Sequence, residues 1–507
     1  MNDGSASAHR ANAPLPATGL SFPLIAGLVT LAIGLNTRSV LKDPDTYWHV
    51  AVGRWILEHR AIPTADPFSH SMPGIAWTAH EWGSELVMST AFDIGGIQGL
   101  KVIAAIAFAL TIAYIMRFLL DRMEPVHAVM LTLISGAMMF THFLSRPHVL
   151  VWPLTALWVG TLVRAVEARR PPPWWLLGLV VVWANTHASF TLAVGFSCAL
   201  ALDAVLQFDT MPERIDAARK WGIFIVAAFA LVLLNPQGFG AIEYAVTVMR
   251  MTTTLAMIQE WQSASFHHFQ PILLWILLVF TLALTGRIRL SLPRLLFVAG
   301  LFYLALKHQR YHALLGVVSP MLLASPIAAG MRSRAINGGS ADTLDRWFLA
   351  LAQRARISGV LAMLALGVGI AVASERLTPP LFNPAATPTK AVAAFHATGA
   401  QGKVLNSYIF GGYLIFSGIP VFIDGRSDMY GDPLMRETAT ALGLESSGSL
   451  EALLSKYAIG WTLLDPGTAA VRLLDRLPEW QRVYGDSIAV VHVRRSLVSP
   501  ATSETAP

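Results

Sequence analysis

Apolar runs long enough to cross a lipid bilayer recur along most of this sequence. A membrane-spanning helix needs about 20 predominantly apolar residues. Such runs occur near residues 21–40, 98–119, 126–144, 148–165, 174–189, 190–207, 220–235, 270–285, 294–309, 311–330 and 349–373. Of the 507 residues, 54% are hydrophobic and only 13% are charged, which excludes an ordinary soluble domain. The sequence therefore predicts an all-α polytopic membrane domain of about eleven transmembrane helices over residues 21–374.

The distribution of Lys and Arg predicts which side of the membrane each connection faces. Basic residues concentrate after every second span, in "RAVEARRPPP", "MPERIDAARK", "GRIRLSLPR" and "MRSRAINGGSADTLDRW". Because cytoplasmic loops are enriched in Lys and Arg, these connections and the N-terminal tail, 1–20, are predicted to be cytoplasmic. The long connection 41–97 and the later loops "SRPH" and "KHQR" then face outward from a bacterial-type inner membrane. Membrane topology also accounts for the net charge of +6, so no nucleic-acid partner is predicted.

The sequence changes character from about Glu375. Strand-like runs, "KVLNSYIF", "GIPVFIDG", "GWTLLD" and "IAVVHVRR", alternate with helical stretches such as "PLMRETATALG" and "SLEALLSKYA". This alternation predicts a small C-terminal extracytoplasmic α/β domain, 375–497, which the topology places in the periplasm. Residues 498–507 are predicted to be a disordered tail. The single cysteine, Cys198, excludes an intramolecular disulfide.

The outward connection 41–97 is far longer than an ordinary loop, and loops of this length are usually functional or disordered. It is rich in Trp, and "GRWILEHRAI" has the apolar spacing of an amphipathic helix lying in the membrane interface. Its acidic residues form two groups, Asp43 with Asp45, and "HEWGSE" with Glu81 and Glu85. A carboxylate at this depth can take a proton from an acceptor or hold a divalent cation. The alternative is that these carboxylates cap interfacial helices.

Two motifs carry a resemblance to a known family. "DTYWH", which begins at Asp45, with "GRWILEHRAIP" and "DPFSH" after it, resembles the first outer loop of GT-C glycosyltransferases and is similar to the "DPYYH"-type motif of oligosaccharyltransferase catalytic subunits. The resemblance implies that Asp45, with Asp43 as a second candidate, binds a divalent cation such as Mg²⁺ or Mn²⁺ and polarises the acceptor. "MIQEWQSASF" resembles the "TIxE" or "SVSEHQ" segment of the family, which implies that Glu260 faces the acceptor.

A third motif points to the donor. "KHQRYHALLGVVSP" resembles the segment in which an Arg at the outer end of a helix, followed by "LMLxxxP", holds a lipid-linked pyrophosphate. Arg310 matches this Arg, and a guanidinium forms permanently charged, bidentate bonds to phosphate oxygens. Lys307 and His308 lie beside it and are further candidates for binding the lipid phosphate. The alternative is ordinary snorkelling of basic side chains at a helix end.

The C-terminal segment supplies the last match and a departure from it. "NSYIFGGYLIFSGIPVFIDGRSDMYGD" is similar in layout to the oligosaccharyltransferase stretch "WWDYGYxI…DGGKH", but Tyr408, Ile409 and Phe410 replace the Trp-Trp-Asp. Recognition of an Asn-linked sequon is therefore not carried over. The predicted acceptor or cavity residues are His80, Glu81, Arg146, His148, His187, Tyr413, Asp424 and Arg426. "SRPH" has no carboxylate where the family has a second acidic motif, so either Glu81 or His148 joins Asp45 as a metal ligand, or metal dependence is lost.

Taken with these motifs, the resemblance implies an inverting glycosyltransferase. It would move a sugar or glycan from a polyprenyl phosphate or diphosphate to a glycan, lipid or protein acceptor on the outer face of the membrane. Two alternatives from other classes stay open: a secondary transporter or flippase of lipid-linked glycans, and a non-catalytic scaffold of the same fold. Transporters commonly show internal repeats, and this sequence shows none.

Overall fold

The computed structural model describes residues 20–332 and 343–497. The predicted tails, 1–20 and 498–507, lie outside these ranges except for residue 20. The helices of the N-terminal part are α1 (Phe22–Asn36), α2 (Asp45–His59), α3 (Trp82–Leu120), α4 (Pro125–Phe140), α5 (Pro147–Leu150), α6 (Trp152–Glu167), α7 (Leu177–Ala184), α8 (Phe190–Val205), α9 (Met211–Val232), α10 (Gly240–Arg250), α11 (Thr253–Met257), α12 (Pro271–Leu284), α13 (Leu292–Lys307), α14 (His312–Arg332), α15 (Thr343–Ala352) and α16 (Ile357–Leu377).

Each predicted span overlaps at least one α-helix, and the span 349–373 is divided between α15 and α16. In the described ranges, four helical segments are long and apolar enough to cross a bilayer: Trp82–Leu120, Pro147–Glu167, Gln309–Met331 and Ile357–Leu377. Five shorter apolar helices accompany them, at Phe22–Asn36, Pro125–Phe140, Trp174–Ala184, Phe190–Val205 and Pro271–Leu284. These helices define a multi-pass membrane protein, and the number and direction of its crossings stay predictions.

The predicted outer loop 41–97 contains α2 and the first part of α3. Helix α3 begins at Trp82, well before the predicted span, and continues through a kink at Gly96, whose φ of 57° is easily adopted only by glycine. The first part of helix α2 is buried, whereas Leu57, Glu58 and His59 at its end are exposed, and its place in the membrane interface stays a prediction. Its close packing on α3 depends on Gly53, where a Cβ atom would lie 2.1 Å from the carbonyl oxygen of Glu85.

The C-terminal domain is built on a mixed four-stranded sheet. Its helices are α17 (Thr389–Ala397), α18 (Gly411–Phe416), α19 (Ser427–Gly443), α20 (Ser449–Lys456) and α21 (Ala469–Leu474), and its strands are β1 (Lys403–Asn406), β2 (Ile459–Leu464), β3 (Trp480–Gly485) and β4 (Val490–Arg494). The strand order is β1-β2-β4-β3, with β1 parallel to β2 and the other pairs antiparallel. Three predicted strands are present as β1, β2 and β4. The fourth prediction, "GIPVFIDG", is wrong, because Val421 makes a single bridge to Ser69 outside this sheet.

The C-terminal domain packs directly against α2 and the segment that follows it. Apolar side chains of α2, among them Trp48 and Val52, share one core with Phe410 and Leu414 of the C-terminal domain. The backbone N–H of His70 also donates a hydrogen bond to the carbonyl oxygen of Val421, at 2.9 Å. Helix α2 and the segment after it therefore lie against the C-terminal domain. The candidate site lies at the start of α2.

Candidate active site

A cavity of about 280 Å³ lies between the start of α2, the ends of several membrane helices and the C-terminal domain. One part of its wall is apolar and includes Leu314 and Val317 of α14. The charged, histidine and aromatic residues of its wall are Asp45, Trp48, His80, Glu81, His142, Arg146, His148, Trp152, His187, Tyr244, Glu260, Trp261, Arg310, Tyr311, Tyr408 and Asp428. A cavity with one apolar wall and one charged wall can hold an apolar chain beside a charged group.

Arg146 is the centre of the charged part of this cavity. Its Nη2 atom lies 2.9 Å from Oδ2 of Asp45, and its Nη1 atom lies 3.3 Å from Oδ2 of Asp43 and 3.5 Å from Oε2 of Glu260. The other oxygen of Glu260, Oε1, lies 3.4 Å from Nη1 of Arg310. The two arginines therefore face a common carboxylate, and Arg146 faces two more.

Local structure at the start of α2 orients Asp45. The side chain of Asp43 accepts a hydrogen bond of 2.9 Å from the backbone N–H of Asp45, which closes a turn across Pro44. On the other side, Gly425 of the C-terminal domain lies so close that a Cβ atom there would come 1.9 Å from Oδ1 of Asp45. Gly425 belongs to the "IDGR" part of the C-terminal motif. Its missing side chain leaves room for the Asp45 carboxylate.

The two central carboxylates differ in acidity. Burial raises the pKa of Asp45 to about 7, although the positive charge of Arg146 opposes this shift. Burial also disfavours the ionised form of Glu260, but Arg310 and Arg146 outweigh it and lower the pKa of Glu260 to about 2. Glu260 is therefore ionised at neutral pH, whereas Asp45 can take up and release a proton there.

Most of the predicted site residues meet at this cavity. Its wall includes Asp45, Glu260, Arg310, His80, Glu81, Arg146, His148 and His187, and Asp43 contacts it through Arg146. Lys307 and His308 are not part of the wall: Lys307 is exposed, and the ring of His308 is hydrogen-bonded through Nδ1 to the carbonyl oxygen of Trp261 at 2.6 Å. Proximity does not assign a role, so the catalytic and phosphate-binding functions stay predictions.

Three predicted acceptor or cavity residues lie elsewhere. The Tyr413 hydroxyl is 3.3 Å from Oγ1 of Thr389, away from the cavity wall. Asp424 and Arg426 are fully buried and form an ion pair of 2.7 Å, and Arg426 also contacts Asp66 at 2.6 Å. Because Asp66 belongs to the segment between α2 and α3, this pair joins the C-terminal domain to that segment and holds Gly425 between its two members.

The predicted metal pair, Asp45 with Glu81, lines the cavity, and its binding of a cation stays a prediction. The single positive charge of Arg146 is shared between Asp45 and Asp43. Among the described residues, the group whose ligand atoms come within 4.8 Å of one another is His49, Glu81 and Glu85.

Several residues of the site were not predicted. Tyr244, His142 and Asp428 line the cavity, but no local pattern distinguishes them from other polar residues of loops and helix ends. His49 could have been recognised, because it lies one helical turn after Asp45, and residues four apart share a helix face. The same spacing relates Glu81 and Glu85.

Comparison with known structures identifies the class of fold. The archaeal oligosaccharyltransferase AglB from Archaeoglobus fulgidus, solved with an inhibitory peptide and a dolichol-phosphate, aligns over 87% of this chain and 69% of its own, with a TM-score of 0.52 and 11% identity. ArnT from Cupriavidus metallidurans, solved bound to undecaprenyl phosphate, aligns over 94% of this chain and 98% of its own, with a TM-score of 0.47 and 13% identity. No protein-family model and no curated protein matches the sequence.

The similarity to AglB shows that this chain has an oligosaccharyltransferase-like fold. The fold implied by the resemblance to the GT-C glycosyltransferases is therefore confirmed. At 11% identity the match concerns the fold alone, and the reaction has to be argued from the cavity.

Proposed function

We propose that this protein is a GT-C-type membrane glycosyltransferase. It moves a sugar or glycan from a polyprenyl phosphate or diphosphate to an acceptor on the outer face of a bacterial-type inner membrane. One observation carries the proposal: Asp45 and Glu260 share a cavity with Arg146 and Arg310, and the same cavity has an apolar wall. The dolichol-phosphate in the AglB structure supports a donor of this class.

Arg310 is the group best placed to hold the donor phosphate. Its guanidinium lies 4.2 Å from the ring centre of Trp261, which orients it. Among the described residues it forms one ion pair, to Glu260, which uses few of its five N–H donors. The remaining donors can bind phosphate oxygens in the bidentate manner that arginine favours. The apolar side chains of Leu314 and Val317, on the helix that follows Arg310, can cover the first part of a prenyl chain.

Asp45 is the group best placed to activate the acceptor. In the proposed step its carboxylate takes the proton of an acceptor hydroxyl while the acceptor oxygen forms a bond to the anomeric carbon of the sugar. The bond from that carbon to the phosphate oxygen breaks, and its electron pair stays on the phosphate, where Arg310 stabilises the charge. Attack from the face opposite the phosphate inverts the anomeric configuration. Glu260, which is ionised at neutral pH, accepts hydrogen bonds from the acceptor and orients it.

The test is transfer of radiolabelled sugar from a polyprenyl-phosphate-linked pool by the purified protein in lipid vesicles, with a solubilised envelope fraction as the acceptor source. We expect Asp45→Asn and Arg310→Ala each to lower the transfer rate by about two orders of magnitude or more. The matched control is Asp93→Asn, because Asp93 also forms an Asp–Arg pair, of 2.9 Å with Arg54, outside the cavity. It should retain wild-type activity.

Two outcomes would contradict the proposal. If wild-type protein binds the lipid but transfers no label, and Asp45→Asn binds it equally well, the chain is a carrier or a scaffold. If label crosses the bilayer while still attached to the lipid, the chain is a flippase. A protease-protection assay of the C-terminal domain in sealed vesicles would separately test the proposed periplasmic location.

A further inference from the structure

One carboxylate of the C-terminal domain holds the segment that leads to Glu260. Asp432, in α19, accepts five hydrogen bonds from α11 and the residue before it. The donors are the backbone N–H groups of Thr252 and Thr253 at 3.1 Å and of Thr254 at 2.8 Å, and the hydroxyl groups of Thr252 at 3.4 Å and Thr254 at 2.6 Å. We propose that Asp432 is a positioning residue for the transfer reaction and acts by holding Glu260 in place. This inference rests on the proposed function.

The local sequence of α19 directs Asp432 away from the regular helix. Gly431, which precedes it, has a φ of 65°, a value that glycine adopts without strain. Pro433, which follows it, lacks a backbone N–H and disfavours the helical conformation at the residue before it. Helix α19 is therefore kinked at this point, and the carboxylate of Asp432 binds α11 instead of its own helix.

The hydrogen bonds to Asp432 satisfy groups that α11 cannot satisfy by itself. The first backbone N–H groups of a helix have no partner within it, and the side chain of Thr252 forms no capping hydrogen bond. Both oxygens of Asp432 take over this role, because Oδ2 accepts from Thr252 and Thr253 and Oδ1 accepts from Thr254. These bonds, those from Thr254 above all, hold the pKa of Asp432 below its usual value, so the carboxylate is ionised at neutral pH.

The residues that Asp432 holds form part of the cavity wall. Thr254 is 1% exposed, and Leu255 and Ile258 line the cavity together with it. A second side chain of α19 supports the same attachment, since Nη2 of Arg436 donates to Oγ1 of Thr253 at 2.6 Å. The C-terminal domain therefore holds the wall of the cavity directly before Glu260 in the sequence.

The other side of Glu260 is attached to the membrane domain. The carbonyl oxygen of Trp261 lies 2.6 Å from Nδ1 of His308, and the carbonyl oxygen of Gln262 accepts from the backbone N–H of Gln309 at 3.0 Å. Both partners belong to the connection between α13 and α14. Glu260 thus lies between two attachments, one to each domain, and loss of Asp432 would release the first of them.

Asp432 should affect the acceptor more than the donor. Glu260 is the proposed acceptor-orienting group, whereas the donor is assigned to Arg310 and the apolar wall of α14, to which Asp432 is not bonded. Removing the Asp432 carboxylate should therefore raise the KM for the acceptor and leave the KM for the donor near its wild-type value.

The experiment uses the transfer assay described above, with the concentrations of the polyprenyl-phosphate-linked sugar pool and of the solubilised envelope fraction varied separately. We expect Asp432→Ala to raise the KM for the envelope fraction at least about tenfold. Asp432→Asn keeps one acceptor oxygen, so its KM should rise less. The matched control is Asp486→Ala. Asp486 also accepts from backbone N–H groups, those of Ile488 and Ala489 at 2.8 Å, but in the turn between β3 and β4.

A double variant separates positioning from a general loss of structure. If Asp432 acts through Glu260, adding Asp432→Ala to Glu260→Gln should change the KM for the envelope fraction little further. A rise in this KM that multiplies with that of Glu260→Gln would refute the inference, because Asp432 would then act independently of Glu260.

Hydrogen–deuterium exchange measures the attachment without any transfer reaction. In Asp432→Ala the backbone N–H groups of 252–262 should exchange faster than in the wild type, and in Asp486→Ala they should not. Unchanged exchange in Asp432→Ala would refute the inference. If the wild type transfers label and folded Asp432→Ala keeps the wild-type KM for the envelope fraction, this role alone is refuted. If the wild type transfers no label, the proposed function is refuted and this role with it.

Discussion

The Nη2 atom of Arg146 lies 2.9 Å from Oδ2 of Asp45. The same guanidinium contacts Asp43 and Glu260, so one cation is the common partner of three carboxylates from two distant parts of the chain. Arg310 has a different setting, because in the described part of the chain it pairs with one carboxylate, that of Glu260, and the ring of Trp261 lies beneath it. Arg146 is therefore suited to hold the carboxylates in place, and Arg310 to receive an additional anion.

Removing Arg146 should destabilise the protein strongly. Arg146→Ala leaves carboxylates buried without a counter-charge, and breaking a buried ion pair on one side costs about 3–5 kcal/mol. We expect a clear fall in the unfolding temperature in detergent, with partial recovery in Arg146→Lys, because an ammonium group cannot reach all its partners with a planar fork. Arg54→Ala is the control, since the Arg54–Asp93 pair is largely exposed and should matter little. Equal losses in Arg146→Ala and Arg54→Ala would contradict this account.

Transfer activity should fall as the pH is lowered through about 7, because burial raises the pKa of Asp45 to that value. The sign follows from the role: protonated Asp45 cannot accept a proton, so the rate is full above this pKa and declines about tenfold per pH unit below it. Glu260, with its pKa lowered to about 2, stays ionised throughout an accessible range. The measurement is the pH dependence of the rate at saturating donor.

Glu81 provides the necessary control for that profile, since burial also raises its pKa to about 7. If Asp45 is the titrating base, Glu81→Gln should keep the acidic limb of the profile even where its overall rate is lower. Disappearance of the limb in Glu81→Gln would assign the titration to Glu81 instead.

The helical membrane domain could be predicted because apolar runs are a local property of the sequence. Each predicted span overlaps an α-helix for that reason. The early start of α3 could not be predicted in the same way, because residues 82–95 carry polar side chains, Ser84 and Glu85 among them, that are buried only by packing. Strand β3 was missed because it is a partly exposed edge strand without apolar alternation.

The site could be predicted only in part. Motif resemblance selected Asp45, Glu260 and Arg310, which do meet in one cavity. Arg146 contacts both Asp45 and Glu260, and each of them lies about a hundred positions away from it in the sequence. No local sequence pattern could therefore predict these contacts. Asp424 and Arg426 are the opposite case. They belong to a motif that resembles the family, but their side chains form a buried contact with Asp66 instead of lining the cavity.

Arg426 is thus expected to act on stability and not on acceptor binding. Arg426→Met would leave Asp424 and Asp66 buried without their partner, at a cost of about 3–5 kcal/mol. In the folded fraction, the KM for the acceptor should stay near the wild-type value. Limited proteolysis should show earlier cleavage between the membrane domain and the C-terminal domain. A stable Arg426→Met protein with a raised acceptor KM would restore the acceptor-binding prediction. The control is Arg482→Met, which removes a partly exposed pair with Asp475 on the edge strand β3.

A single methyl group at Gly425 should inactivate the proposed site. In Gly425→Ala the new Cβ would lie 1.9 Å from Oδ1 of Asp45 and 2.7 Å from Nε1 of Trp48, so the carboxylate, the indole or the loop has to move. Displacing a reacting carboxylate by about 1 Å can lower a rate by about a hundredfold, and we expect a loss of this size in the transfer assay. Gly485→Ala, whose Cβ would meet its nearest neighbour at 3.7 Å, is the control and should keep full activity. Because Asp45 would already be misplaced, adding Asp45→Asn to Gly425→Ala should cause little further loss. If the fold-losses in transfer rate of the two single variants multiply in the double variant, Gly425 acts independently of Asp45 and their contact does not organise the site.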